Sequence, residues 1–504
     1  MNNLQRSVIW ILGVTIGGFL FGFSVSEAFS APPERAWVAI YNGPAKGEDR
    51  AHALALDEAG NVCVTGFSAG EDGTDWDYVT IKYSPAGRKL WTARYDGPGN
   101  GEGYPLDVAV DTVGNVYVTG YLAGAGTQSD WVTIKYDTDG NELWVTPHNG
   151  PANGFDAAMA LGLDPGGNVY VTGMTEGNGT GRDAVTIKYD PDGSELWVAR
   201  YNGPGNGTDS NRALVVDASG AVHVTGTSVG DGTGFDAVTI KYDADGSELW
   251  VARYIGPGDS DEKGRDVTLD GQGNVCVTGS GYPEHDFLTI KYDPDGNELW
   301  TARYNGPGND FDRADSMVLD TSGNIYVTGP VICGYQNDMA TVKYDTEGNQ
   351  QWATLYNDPS NSDDHPTKVT VDQEDNVYVT GYSISPGPIF NYSCVTFKYD
   401  EDGNQLWMTK YDSVLDEFPV DMVVDDVGNV YITGSANGKE SLGLKYDWLT
   451  IKYGLGSEWG AASTVAGNPP DSSRMRRSTI LNYLAIVFFV SLVILYIRKV
   501  ATWS

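Results

Sequence analysis

The sequence predicts an all-β chain that closes into an eight-bladed β-propeller of four-stranded antiparallel blades. Three observations predict it. The string Gly-Asn-Val-Tyr-Val-Thr-Gly stands intact at 114–120 and 167–173, and close copies start at Gly60, Gly220, Gly273, Gly323, Asp375 and Gly428. A second string, Val-Thr-Ile-Lys-Tyr, ends with small changes at Tyr83, Tyr136, Tyr189, Tyr242, Tyr292, Tyr344, Tyr399 and Tyr453. Eight residues after each of the first seven of these tyrosines comes Trp91, Trp144, Trp197, Trp250, Trp300, Trp352 or Trp407. Units of about 50 residues with four strand signals each describe propeller blades rather than a linear solenoid.

Taken in chain order, residues 1–30 read as a signal peptide or signal anchor. Arg6 precedes the apolar run from Val8 to Phe23, and small residues flank a cleavage point after Ser30. Residues 31–453 hold the propeller. In the third repeat the strands are Ala157 to Leu163, Asn168 to Thr172, Ala184 to Tyr189 and Leu196 to Tyr201, separated by turns at Pro165-Gly166-Gly167 and Asp190-Pro191-Asp192-Gly193. The last repeat has Ala461 where a tryptophan is due, and the missing strand stands before the first repeat as Trp37-Val38-Ala39-Ile40-Tyr41. An N-terminal strand is therefore expected to complete the last blade and remove the open edges. Residues 454–478 form a flexible linker rich in Gly, Ser, Ala and Pro. Residues 479–497 have the length and apolarity of a transmembrane helix, and 498–504 are a short basic tail. These ends predict an exported protein tethered to the membrane by its C-terminal helix, with the propeller at a bacterial cell surface or in the periplasm.

Composition excludes other classes. Of 504 residues 64 are glycine and 12% are aromatic, which rules out a disordered polyanion. With 32 Lys+Arg against 68 Asp+Glu the chain carries a net charge of −36, the wrong sign for neutralising phosphates, so no nucleic acid is expected as a partner. Cys63 and Cys276 replace the same strand tyrosine on opposite sides of the ring. Cys333 and Cys394, in adjacent repeats, are the pair placed to meet.

Residues present in every repeat serve every blade, so exceptions carry the functional signal. The recurring lysines (Lys82, Lys135, Lys188, Lys241, Lys291, Lys343, Lys398, Lys452) lie mid-strand, and a buried ammonium requires a partner such as the Asp57-type or Asp77-type aspartate. The Asp-x-Asp-Gly turns lack the oxygens of a full calcium loop and read as hairpin turns. Gly-x-Ser-x-Gly around Ser68 and Ser228 runs into loops rather than the helix of a nucleophile elbow. His52, His148, His223, His285 and His365 show no metal-ligand spacing.

The loop between second and third strands varies most in length, which marks its face as the binding face. Aromatic residues in these loops, Phe67, Trp76, Tyr121, Tyr282, Tyr335, Tyr382, Phe390 and Tyr392, are candidate ligand contacts. Asp49, Asp156, Asp209, Glu262, Asp312 and Asp364 each stand eight residues before a first-strand aspartate. Around a pore mouth they would form a carboxylate ring able to hold a divalent cation, with Ca2+ as the candidate cofactor. Capping of local turns is the other reading of these acids.

The core Asp-x-x-Gly-Asn-Val-Tyr-Val-Thr-Gly resembles the β-propeller repeat (SBBP) of bacterial surface and secreted proteins, over roughly residues 37 to 453. The resemblance implies a propeller in an exported protein and no defined activity. Asp-x-Asp-Gly-x-x-Leu-Trp is also similar to the tryptophan-docking turn of quinoprotein dehydrogenases, whose adjacent cysteine pair is absent here. The expectation is thus a non-enzymatic binding or scaffolding module for an extracytoplasmic protein or glycan. The alternative is an extracytoplasmic enzyme of lyase or hydrolase type, with an acidic site at the pore mouth. Raised carboxylate pKa values at that mouth would favour the alternative.

Overall fold

Alternating Val, Thr, Ile and Tyr between Asp/Gly turns leaves each repeat no choice but strands covered on both faces. The computed structural model describes residues 32–70, 75–98, 101–124, 126–258, 260–281, 286–385, 391–413, 416–438 and 445–454. These form eight four-stranded antiparallel sheets. Blade 1 comprises Asp49–Leu56, Val62–Ala69, Trp76–Tyr83 and Lys89–Tyr95. The first strands of blades 2 to 8 are Gly103–Val110, Ala157–Leu163, Asp209–Val216, Glu262–Leu269, Ser316–Leu319, Asp364–Val371 and Glu417–Val424. Each touches the first strands of the blades before and after it, so first strands form the closed inner ring. The core lies between blades. One cluster, for example, joins Ala53, Cys63 and Tyr78 of blade 1 to Val108, Val118 and Ile134 of blade 2.

The recurrent Thr-Gly has a specific cause. In blades 1 to 5, 7 and 8 the first strand shifts register, as between Asn211 and Ala213, so Arg212 is an extra bulged residue. The bulge presses a carbonyl against the second strand. A Cβ on Gly226 would lie 1.9 Å from the Ser210 carbonyl oxygen, and Gly66, Gly120 and Gly381 meet the same obstacle at 2.0–2.1 Å. Glycine is therefore what admits the bulge, and the bulge turns side chains of the inner strand toward the central channel.

Closure is as expected. Glu34–Tyr41 pairs antiparallel with Lys445–Gly454 as the outer strand of blade 8. The seam is locked as the described tryptophan junctions are: Trp37 Nε1 donates to the Pro85 carbonyl, as Trp91 does to Thr138 and Trp197 to Ala244, at 3.0 Å each. Each of these indoles lies on the turn glycine of the blade it docks against (Gly87, Gly140 and Gly246), which leaves no space for a Cβ.

The expectation of a membrane-anchored chain is corrected. Among the described residues no helix is long and apolar enough to cross a membrane. The apolar runs at 8–23 and 480–497, and with them the signal segment, linker, spanning helix and tail, lie outside the described residues. The fold supported is the closed propeller itself. Membrane tethering, a membrane partner and a membrane location are not carried into the functional reading.

Candidate functional site

The six connector acids are seated inside their own blades. Asp49, Asp156, Asp209, Glu262, Asp312 and Asp364 are all fully buried. Each accepts a hydrogen bond from the backbone N–H six residues earlier, as Gly43 donates to Asp49 (2.8 Å) and Gly203 to Asp209 (2.7 Å). Asp156 and Asp209 also accept from Glu176 and Val229 at the end of the second strand. The acids thus fasten the connector to the blade, and the structure does not gather them into one cluster. Glu417 holds the same place in blade 8, and Gly103 replaces the acid in blade 2.

A fourth-strand arginine completes this fastening in four blades. Arg94 bonds Asp77 and the Ser68 hydroxyl, and Arg253 bonds Asp236 and Ser228. Arg200 bonds Asp183 (2.9 Å), and Arg303 lies 3.7 Å from Glu262. Ser68 and Ser228, the two elbow-like serines, are therefore buried arginine acceptors and not nucleophiles. Blades 6, 7 and 8 have Leu355, Lys410 and Ile40 at the arginine position. There burial lifts Asp312 and Asp364 to about 6 and Glu417 to about 7.

The candidate aromatic residues pack on one another. Phe67 stacks on Trp76 (4.8 Å between centroids), and Tyr104 bridges Trp76 to Tyr121, which meets Phe155. In blades 7 and 8, Tyr382 and Tyr392 meet Phe418, and Phe418 meets Tyr446. Arg50 of blade 1 lies 4.3 Å above the Tyr446 ring. The two groups flank a cleft of 320 Å³ lined by Arg50, His52, Phe418, Val420, Ser435 and Tyr446. Phe67 is sealed, whereas Tyr335 stands fully exposed and apart. Tyr282 and Phe390 lie outside the described residues. Tyr104 and Phe418 were missed because they sit on inner strands, one residue after the connector-acid position, rather than in the variable loops.

The channel itself holds groups that the sequence reading passed over. Four residues after the connector-acid position, the inner strands carry Ala53, Asp107, Ala160, Ala213, Asp266, Ser316, Lys368 and Asp421. Small residues are the rule, and Asp107, Asp266, Lys368 and Asp421 are the ionisable exceptions. The three aspartates reach across blade junctions: Asp107 accepts from Leu161 N–H, Asp266 from Met317 and Asp421 from Leu54, at 2.8–3.0 Å. Each also accepts from the N–H of its own successor, at 2.8–2.9 Å. Lys368 Nζ lies 3.8 Å from Asp421 and is 40% exposed to the channel. Burial lifts Asp107 to about 6, with the Asp421 charge adding to the rise and Lys368 opposing it. Burial likewise raises Asp266, while Asp421 first, then Asp266 and Asp107, hold Lys368 above its ordinary value.

A separate acidic group lies in blade 1. Carboxylate oxygens of Asp75, Asp77 and Asp96 fall within 4.8 Å of one another and can together hold a metal ion. Asp77 recurs in most blades, Asp96 again only as Asp412 and Asp75 in none, so a search for one repeated position overlooks the trio. All four cysteines are free, and burial raises each thiol to about 12. Cys333 and Cys394 form no bridge.

The Beta-propeller repeat family (SBBP) matches residues 351–388 and 413–440. A similar curated protein is the uncharacterized WD repeat-containing protein L264 of Acanthamoeba polyphaga mimivirus, 27% identical over 400 residues. That match spans 71% of this chain and 26% of the viral protein, so this chain covers about a quarter of its relative. Among solved structures, the WD40 domain of SCAP from fission yeast is 10% identical with a TM-score of 0.44, covering 83% of this chain and 94% of that one. Polysaccharide lyase Uly1 is 10% identical with a TM-score of 0.40, covering 88% and 94%. These likenesses concern propeller architecture alone. The expectation of a tethered, non-catalytic binding or scaffolding module is corrected by the site. Carboxylates with raised pKa line the channel, and an acidic trio stands on blade 1.

Proposed function

We propose that the channel mouth is the active site of an enzyme of lyase or hydrolase type, in which Asp107 exchanges a proton with the substrate. The observation that supports this reading is a half-buried channel carboxyl lifted to about 6 by burial, within electrostatic reach of the Lys368–Asp421 ion pair. A carboxyl titrating near neutrality can take up and return a proton within one turnover. Lys368 supplies a fixed positive charge for an oxyanion developing on the substrate. Asp312, Asp364 and Glu417 have similar or higher pKa values but are sealed from solvent, which sets Asp107 apart. Trp76, Tyr121, Tyr382 and Tyr392 offer ring faces along which an extended substrate is led to the mouth.

The test compares wild type with Asp107→Asn and Lys368→Met on acidic and neutral polysaccharides and on ester and peptide substrates. Asp107→Asn is expected to lower kcat by at least about 10²-fold. Lys368→Met is expected to move the rate inflection upward from about 6, because the cation that favours ionised Asp107 is gone. Turnover that survives Asp107→Asn would refute the assignment. So would absence of turnover on every substrate together with an ordinary carboxylate pKa for Asp107 by NMR.

For the ion at Asp75, Asp77 and Asp96 we propose calcium, a hard cation suited to an all-oxygen site. Calcium at about 100 times its dissociation constant adds roughly 2.7 kcal/mol to the folded state. The melting temperature is expected to rise with calcium over EDTA, less with magnesium, and not at all in Asp75→Asn. An equal rise in that variant would place the ion elsewhere.

A further inference from the structure

A cleft of 240 Å³ at the opposite side of the mouth spans blades 3 to 5. Its lining includes Met159, Met174, Arg212, Thr227, Lys263 and Arg265. Arg212 and Arg265 are the bulged residues of adjacent inner strands, so the Gly-permitted bulge is what turns them inward. We propose that this cleft seats an oxyanion (a carboxylate, sulfate or phosphate) borne by the protein's ligand.

Three cationic side chains line this cleft in a chain whose net charge is −36, with the Lys263 ammonium 5.8 Å from the Phe235 ring. Among the described residues neither Arg212 nor Lys263 has a carboxylate within ion-pairing distance, and both are exposed. Asp315, the carboxylate paired with Arg265, is already shared: it lies 3.3 Å from Arg265 and 3.0 Å from Arg313. Arg265 keeps a buried Nε with no acceptor. Burial, together with the like charges of Arg212 and Arg313, holds its pKa below the ordinary value. Convergent positive charge costs free energy in the empty cleft, and a bound anion removes that cost. Arginine forks match the oxygen geometry of carboxylate, sulfate and phosphate. In a chain of net charge −36, a local group of cations focuses anions on its own sector. Met159 and Met174 supply an adaptable apolar wall for the group that carries the charge. At this volume the cleft is a subsite and not a complete pocket.

The seat is independent of proton transfer at Asp107, and the experiment keeps the two apart. Calorimetric titrations of the full chain with sodium sulfate, phosphate and glucuronate, at ionic strength fixed with chloride, should show saturable binding. Arg212→Gln and Lys263→Gln alter exposed side chains and leave the fold intact; each is expected to weaken binding about tenfold, which is one lost contact of ~1.4 kcal/mol. Asp107→Asn should leave the affinity unchanged. A preference for sulfate and phosphate over glucuronate would identify a tetrahedral anion, and the reverse a carboxylate. Absence of saturable heat with all three anions, or equal affinity in the Arg212→Gln/Lys263→Gln double variant, would overturn the proposal.

Discussion

A strand lysine and a second-strand residue stand beside the same aspartate in the blade, and the second-strand residue decides how the lysine is placed. Where that residue is tyrosine its hydroxyl takes the carboxylate, as Tyr117 does with Asp111 (3.1 Å) and Tyr326 with Asp320 (3.0 Å). In those two blades the lysine lies against the tyrosine ring, 5.0 Å for Lys135 on Tyr117 and 5.1 Å for Lys343 on Tyr326, whereas in blade 7 Tyr378 (2.9 Å) and Lys398 (3.1 Å) both reach Asp372. Where cysteine replaces tyrosine the lysine moves in, and Lys82–Asp57 and Lys291–Asp270 both close to 2.9 Å. Burial works against the Asp57 charge, yet hydrogen bonds from Asn61 and Lys82 hold its pKa below the ordinary value. Removing one partner of a buried pair costs about 3–5 kcal/mol. Lys82→Met is therefore expected to lower the melting temperature more than Lys188→Met, since Tyr170 still bonds Asp164. Equal losses in thermal melts would show that the tyrosine does not substitute for the ammonium.

At the scale of the element, the connector and the blade corner act as one unit built from an acid, a second-strand end and a fourth-strand arginine. The corner of blade 8 lacks the arginine, and Glu417 there has its pKa raised to about 7 against an ordinary 4.5. A carboxyl with a raised folded-state pKa binds its proton more tightly folded than unfolded. Its contribution is fully present below about 4.5 and is lost as pH rises through about 7. Melting curves across that window should fall more steeply for wild type than for Glu417→Gln, which keeps the hydrogen bonds and cannot ionise. Parallel curves would assign the pH dependence to other groups. The acids were legible as a recurring feature, and their two readings, ion ring and turn cap, differ only in where the side chain points. The bulge, which turns every second inner-strand position away from its neighbour's face, is what a strict two-residue alternation misses.

For the whole molecule, closure depends on a strand that is farthest in sequence from its partner. Glu34–Tyr41 covers the outer edge of Lys445–Gly454, and Asp421 of blade 8 caps Leu54 of blade 1 at 3.0 Å. Deleting residues 34–41 would expose that edge and the docking turn at Pro85. Self-association is the expected outcome, because an uncovered edge pairs with another chain. Size-exclusion chromatography with light scattering checks it; a monomer with unchanged melting would show that the inner ring alone holds the circle. Charge is also arranged at this scale: in a polyanion, Arg212, Lys263 and Arg265 line one cleft of the ring.

Repetition by itself determined the blade count, the four strands per blade and the closing strand, because each repeat must bury two faces and only a ring leaves none uncovered. The tryptophan and lysine positions were equally plain, being needed once per blade. Which groups meet across the channel was decided by tertiary structure alone. Asp107, Asp266, Lys368 and Asp421 are 53 to 314 residues apart in the chain, and no local pattern joins them. The trio Asp75, Asp77 and Asp96 mixes three positions within one repeat. Strand pattern is a local consequence of which face is buried, whereas a site depends on the ring that brings distant exceptions within electrostatic reach of one another.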